Sequence, residues 1–266
     1  MPNLGLSLGL GWLKAGGAGV SSGYAPVFTE YDGTDDVLIF GHEFGSDDNK
    51  GTVSFLFTSK LDGVRQRLLI SSFAAVDIDK QVDNTIKVTI RSADPAILVQ
   101  FTTTSTVTVA DGQVHLLFAW TTDNSGSYIA KKNGVNMVPA SITDDAGTIN
   151  YTDTNAAAMG AVNGASLCTG CMSELYINTA EYQPDATMFA NGNKGISLGP
   201  TGELPTTSQP GWYIPNLFTG VNLGSVSATP SNSGDPQPSC SDTTLKETSS
   251  SDVLTETTTG TALLET

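Results

Sequence analysis

At 266 residues the chain is long enough for one large β-sandwich or two modest domains, and it can bury a sizeable core without help from disulfides. Its 12 Lys and Arg stand against 27 Asp and Glu, for a formal net charge of −15; with no basic cluster to release counterions from a phosphate backbone, nucleic acid is excluded as a partner. Charged residues make up only 15% while Thr, Ser, Gly, Asn and Asp crowd the chain, a balance that suits short strands and turns and argues against a helical bundle.

In chain order, residues 1–25 read as a Gly and Leu rich arm. Leu4, Leu6, Leu8 and Leu10 share one face of an extended strand with Gly or Ser between them. Glycine raises the cost of ordering such a strand, so the arm is expected to order only against a partner. Lys14-Ala15-Gly16-Gly17-Ala18-Gly19 then reads as a flexible link. No basic residue precedes the apolar stretch, so no secretory signal is expected, and no run of 18 apolar residues predicts a membrane span.

Residues 26–180 alternate apolar and polar as half-buried strands do. Val53, Phe55 and Phe57; Leu68 and Ile70; Ile86, Val88 and Ile90; Leu98 and Phe101; Val107 and Val109; and Leu116, Phe118 and Trp120 are the expected inward positions. Turn signals separate them at Leu61-Asp62-Gly63, Asp83-Asn84, Asp94-Pro95 and Ala110-Asp111-Gly112. The run from Val114 to Trp120, a polar connector, and Tyr128 to Val135 with Asn133-Gly134 predict neighbouring antiparallel strands closed by an Asn-Gly turn. His115 falls inside this hairpin, and nothing near it in sequence offers a Ser or Cys nucleophile or a carboxylate relay, so it reads as a structural strand residue.

Residues 181–238 are rich in Pro and Gly and are expected to wrap over the sandwich through turns, anchored by Trp212, Tyr213 and Phe218. One short helix is expected near Pro184–Asn191, with Asp185 at its N-terminal end. In the Thr and Glu rich tail, residues 239–266, a Leu-x-Glu-Thr unit begins at Leu245, Leu254 and Leu263, nine residues apart, which fits three short strands ordered by a partner or else a disordered tail. Cys168, Cys171 and Cys240 make an odd count that argues against a disulfide framework, and a zinc site would draw only on His42, His115 and Cys240 as further ligands. The cysteines therefore read as small buried side chains.

The hairpin, together with Tyr31-Asp32-Gly33-Thr34-Asp35-Asp36-Val37-Leu38 as opening strand, Gly51 to Phe57 as core strand and Met172 to Ile177 as closing strand, resembles the concanavalin A-like and laminin-G-like jelly rolls. The resemblance covers roughly residues 27–180 and implies an all-β sandwich of two antiparallel sheets. A narrower resemblance runs through Glu174 to Ile177, Phe189, Gly195, Leu198-Gly199, Gly202, Pro205, Pro210, Trp212-Tyr213-Ile214, Phe218 and Asn222, and is to the segment after the jelly roll in tailed-bacteriophage virion proteins, which typically begin with a Gly and Leu rich arm. It implies a non-enzymatic virion component, assembled in a host cytoplasm, of the head-decoration, head-fibre or tail-adsorption type. Its partners would be capsid, portal or collar, or tail proteins and further copies of itself, a trimer in a fibre, with no membrane partner.

Function on that reading lies in interfaces, and the assembly residues would be Leu4, Leu6, Leu8 and Leu10 with Leu245, Leu254 and Leu263. The alternative is a lectin that binds host glycan. Catalysis is not expected, because a jelly-roll glycosidase needs two opposed carboxylates and the chain lacks the Glu-x-Asp-x-x-Glu run that usually supplies them, Glu174 being the lone acid within a strand. Calcium is the one cofactor considered, because laminin-G-like domains often hold an ion at the rim; the candidate ligands are Asp32, Asp35 and Asp36, with Asp47-Asp48 and Asp144-Asp145 as further acidic turns.

Overall fold

The computed structural model describes residues 25–41, 44–70, 75–92, 96–123, 127–152, 158–159, 168–206, 208–238 and 240. The arm leucines Leu4, Leu6, Leu8 and Leu10, the tail leucines Leu245, Leu254 and Leu263, and His42 lie outside the described residues. The strands are β1 (Thr29–Asp32), β2 (Val37–Ile39), β3 (Lys50–Ser59), β4 (Gln66–Ile70), β5 (Val76–Lys80), β6 (Thr85–Arg91), β7 (Ile97–Thr106), β8 (Gln113–Thr121), β9 (Ser127–Lys132), β10 (Val135–Asn136), β11 (Pro139–Asp144), β12 (Ala158–Met159), β13 (Thr169–Asn178), β14 (Ala190–Asn191), β15 (Lys194–Gly195), β16 (Trp212–Ile214) and β17 (Ser231–Ser233).

They form two antiparallel sheets and one small hairpin. The first sheet runs β1-β13-β3-β8-β9-β10, with β16 added alongside β13; the second runs β11-β7-β6-β5-β4-β12-β2-β17; β14 and β15 pair only with each other. One core lies between the two sheets. Phe55, Phe57, Phe101, Phe118, Trp120 and Trp212 are among its members, buried because alternate residues of each strand point the same way and the apolar set points inward. The Trp120 indole N–H donates to the Tyr151 hydroxyl at 2.9 Å, and that hydroxyl donates to the Lys50 carbonyl at 2.8 Å, so the two polar edges in this core satisfy each other. Gly51 makes this possible, because a Cβ there would collide with both rings.

Local sequence explains most of the turns. Asn133 and Gly134 both have positive φ, 53° and 81°, the pair a tight hairpin turn demands, and they close β9 onto β10 while the polar connector joins β8 to β9. At the β5–β6 turn Asn84 also takes positive φ, and its side-chain oxygen accepts from Lys80 at 2.6 Å. That bond, with the Leu61 carbonyl at 2.8 Å, explains how the Lys80 ammonium tolerates complete burial.

The described structure departs from the sequence expectations at several places. A bulge between Arg67 and Leu69 turns Leu69 into the core with Leu68, leaving Ile70 half-buried on the other face. Val109 lies in a single 3-10 turn after β7, since the strand ends at Thr106. The Tyr31–Leu38 stretch is two strands in different sheets, split at Gly33, whose φ of 79° reverses the chain. Cys171 and Cys240 form a disulfide with Cα atoms 5.7 Å apart, leaving Cys168 as a buried thiol. The odd count hid this pair because parity says nothing about which two sulfurs the fold brings together.

The segment after β13 contributes β16 to the first sheet and β17 to the second, so it is stitched into the sandwich as well as wrapped over it. The expected short helix is a 3-10 turn, Ala186–Met188, capped by Asp185, which accepts the Thr187 N–H at 3.0 Å. Trp212 and Tyr213 are buried, whereas Phe218 is 40% exposed and anchors nothing.

Candidate functional site

Two groupings of reactive side chains stand out, one sealed and one open. The sealed one lies on the outer face of the first sheet. Ser54 of β3 and His115 of β8 are diagonal neighbours there, with Ser54 Oγ 2.8 Å from His115 Nε2. Sequence proximity offered His115 no nucleophile, and the pairing of β3 with β8 supplies one from 61 positions away. Glu174 is buried under the same cover, at a bulge in β13 where the register shifts between Ser173 and Tyr176 and Glu174 adopts a left-handed φ of 57°. A Cβ on Gly195 would strike the Glu174 carboxylate, so the β14–β15 hairpin sits directly upon it.

Phe189 stacks over the imidazole with ring centroids 6.2 Å apart and meets Tyr176 edge-on at 5.0 Å. Together with Leu117, Ala186, Ile196, Leu198 and Tyr213 it forms a second apolar cluster over this face. Exposures of 3% for Ser54, 1% for His115 and 4% for Glu174 keep all three from a substrate in this conformation. Burial holds the His115 imidazole down at about 4 and pushes the Glu174 carboxyl up to about 8, so both are neutral near neutral pH. His115 Nδ1 has no hydrogen-bond partner in the described structure. A serine beside an imidazole is the start of nucleophilic chemistry, but here it is packed as core.

The open grouping is at the rim. Asp32, Asp35 and Asp235 are exposed, and one carboxylate oxygen from each lies within 4.8 Å of the others. Their meeting follows from backbone register. The chain around Gln237 bridges antiparallel to the free edge of β1, tied by Glu30 N–H to the Gln237 carbonyl at 2.9 Å and by Gln237 N–H to the Glu30 carbonyl at 3.1 Å. Counting outward from that bridge sets Asp32 opposite Asp235.

Asp36, expected among the ligands, is instead buried and structural. It accepts the backbone N–H of Asp32 and that of Asp235, both at 2.8 Å, so it fastens the two loops whose other acids face outward. Burial raises its pKa while those two N–H donors lower it, burial being the larger effect. The structure thus brings Asp32 and Asp35 together with Asp235, which lies 203 positions after Asp32 and carries no local signal, and sets Asp36 behind them. The Asp47-Asp48 turn is a structural tie: Asp47 accepts the Thr152 N–H at 2.9 Å and Asp48 the Asn49 N–H at 2.7 Å.

Three hard oxygen donors with open solvent around them fit Ca²⁺, which takes six to eight oxygens and accepts water for the remainder. They do not fit Zn²⁺, which favours nitrogen and sulfur. Three residues before Asp235, the Asn232 amide donates to the Phe218 carbonyl at 2.7 Å.

No family model and no curated protein matches the sequence. Solved structures do resemble the fold. A candidate carbohydrate-binding protein from Bacteroides ovatus superposes with a TM-score of 0.57 at 10% identity, over 80% of this chain and 60% of that one. The chain thus spans somewhat under two thirds of that relative's length. A SAP-like pentraxin from Limulus polyphemus gives 0.46 at 10% identity, over 80% of this chain and 94% of that one, and the LG1-3 region of a laminin α2 chain gives 0.43 at 14% identity, over 61% and 33%. The fold is an all-β sandwich of two antiparallel sheets of the jelly-roll type, as the hairpin and its flanking strands suggest.

Proposed function

We propose that this protein is a non-catalytic carbohydrate-recognition sandwich whose rim acids, Asp32, Asp35 and Asp235, hold a calcium ion through which a glycan is bound. The observation that carries this reading is the convergence of the three exposed carboxylates, fastened from beneath by Asp36. A bound Ca²⁺ with water in its open positions can exchange that water for vicinal sugar hydroxyls, which are oxygen donors of the same kind. Likeness to a candidate carbohydrate-binding protein supports the ligand class.

The test is calcium titration by calorimetry, then a glycan array with and without calcium. The expected result is calcium-dependent binding to one sugar class, lost in Asp35→Asn and in Asp235→Asn and retained in Asp47→Asn. An array silent with calcium present, or unchanged by the rim substitutions, refutes the reading.

For the setting, we propose a virion structural protein that displays this sandwich on a head fibre, a decorated capsid or a tail, with virion proteins and further copies of itself as partners. Support comes from the resemblance of residues 174–222 and of the Gly and Leu rich arm to tailed-phage virion proteins. Particles assembled with a chain lacking residues 1–20 are expected to incorporate it poorly; normal incorporation removes the arm as the anchor.

A further inference from the structure

The lid over the sealed cluster has an outer surface of its own. The Asn133-Gly134 turn between β9 and β10 and the Gly192-Asn193 turn between β14 and β15 flank a concavity of about 290 Å³. A Cβ on Gly134 or on Gly192 would meet nothing within 4 Å, so the space beside each turn is open. Both turns hang from β8: the His115 N–H donates to Asn133 Oδ1 at 2.8 Å, and Gln113 Nε2 donates to the Asn193 carbonyl at 2.6 Å. Two hydrogen bonds to one central strand therefore hold the concavity in shape before any ligand arrives, which lowers the cost of binding there.

Its floor is apolar, made by Ala186, Ala190 and Ile196, which on their other side belong to the lid with Phe189. Its polar groups come from Asn133, Thr187 and Asn191, and in a chain of net charge −15 none of the lining residues is charged. The three offer different halves of a hydrogen bond. Asn133 has given its oxygen to the His115 N–H, so Nδ2 is left as a donor. Thr187 Oγ1 donates its proton to Asp185 at 2.8 Å and is left as an acceptor. The Asn191 side chain, exposed on β14, makes no hydrogen bond with the described residues and offers both.

We propose that this concavity is a second, metal-independent sugar site that binds an N-acetylated residue of an uncharged glycan. An acetamido group matches the unspent valences: its carbonyl accepts from Asn133 Nδ2, its N–H donates to Thr187 Oγ1, and its methyl lies on Ala186, Ala190 and Ile196, where burial releases water. Ring hydroxyls both donate and accept, as the Asn191 amide does. A carboxylated or phosphorylated sugar finds no cation among the lining residues to offset its desolvation. The volume lies at the small end of ligand pockets, which run from about 300 Å³ upward, and so suits a single sugar residue. Its ligand class rests on the carbohydrate reading above, whereas the site itself draws on no rim acid and no calcium.

The test is an NMR titration of the full chain with N-acetylglucosamine, with calcium removed by a chelator. Saturable shifts are expected at the Asn133 and Asn191 side-chain amides and the Thr187 N–H, with a Kd of about 1 mM, the level that ordinary ligand efficiency gives a ligand of this size. Asn191→Ala should weaken binding about threefold to tenfold, the worth of one hydrogen bond, with the rest of the spectrum unchanged. Glucose, which lacks the acetamido group, should bind at least about tenfold more weakly. Asp35→Asn should change nothing. The proposal is overturned if these signals do not shift, if Asn191→Ala binds as wild type does, or if glucose binds as well. Equal binding of N-acetylglycine methylamide assigns the site to peptide and overturns it, as do shifts that need calcium and vanish in Asp35→Asn, which place the sugar at the rim. A rim that binds no calcium refutes the rim reading and leaves these titrations as they are, so the two proposals fail separately.

Discussion

The sealed cluster of Ser54, His115 and Glu174 and the open rim of Asp32, Asp35 and Asp235 are built from similar chemistry and put to opposite ends. Beneath Phe189 and the β14–β15 hairpin, desolvation drives an imidazole and a carboxyl to their neutral forms, and the residues with the greatest catalytic potential become packing. At the rim the carboxylates keep their solvent, and only Asp36 gives it up to hold the loops together. Residue type alone did not decide which grouping is available to a ligand. Depth did, and depth here is set by a segment that follows the sandwich strands in sequence and returns over one face of it.

The largest expected effect comes from removing the lid over the sealed cluster. Phe189→Ala should cost about 3–5 kcal/mol in chemical denaturation, the usual range for emptying a buried aromatic site. In the same variant the His115 titration followed by NMR should move from about 4 back toward 6.5 as water reaches the ring. A His115 titration that stays near 4 would mean that the sheet alone provides the burial.

Breaking the disulfide should act on the rim and spare the sealed face. Cys171 and Cys240 are 69 positions apart, and closing a loop of that size is worth about 4 kcal/mol in the chain-entropy account, so Cys240→Ser should destabilise by up to that amount. Because Cys240 ends the segment that carries Asp235, calcium affinity should fall as well, while the His115 titration stays where it was. Equal loss at both places would show that the two regions are coupled.

Protons sharpen the contrast further. Glu174 is raised from 4.5 to about 8 in the folded protein, so the folded state binds the extra proton and its stability falls as pH rises from about 4.5 to about 8. His115 is lowered from 6.5 to about 4, so the unfolded state binds the extra proton and stability falls as pH drops from about 6.5 to about 4. The two slopes oppose each other between about 4.5 and 6.5, which predicts a plateau there and a decline on either side. One proton gives a slope of up to about 1.4 kcal/mol per pH unit. Glu174→Gln should abolish the alkaline decline between pH 6.5 and 8 in urea midpoints measured across pH; a persisting decline assigns it to another group.

Least of all should the rim affect folding. Asp35→Asn removes an exposed carboxylate and is expected to shift stability by less than about 0.5 kcal/mol while weakening calcium binding. A larger stability loss would mean that Asp35 helps Asp36 fasten the loops.

Much of this protein is legible in its sequence, because alternation with a period of two states which side chains face inward wherever one face of a strand is buried. Phe55, Val88 and Phe118 were readable that way, and Asn133-Gly134 was readable as a turn because few other pairs accept positive φ twice in succession. Asp32 and Asp35 were visible as an acidic turn, but the inward rotation of Asp36 was not, since it depends on the N–H of Asp235 arriving from the far end of the chain. The same holds for Ser54 against His115, for Cys171 against Cys240, and for the burial of Glu174 at a bulge. The sequence by itself determined most of the strands, their faces and their turns, which follow from steric preference and short-range pattern; the exceptions, at Ile70, Val109 and the Tyr31–Leu38 stretch, come from a bulge, a strand end and a chain reversal. Only the tertiary structure decided which strands became neighbours and where the segment after β13 lay, and those long-range choices settle which carboxylates meet solvent and which lose it.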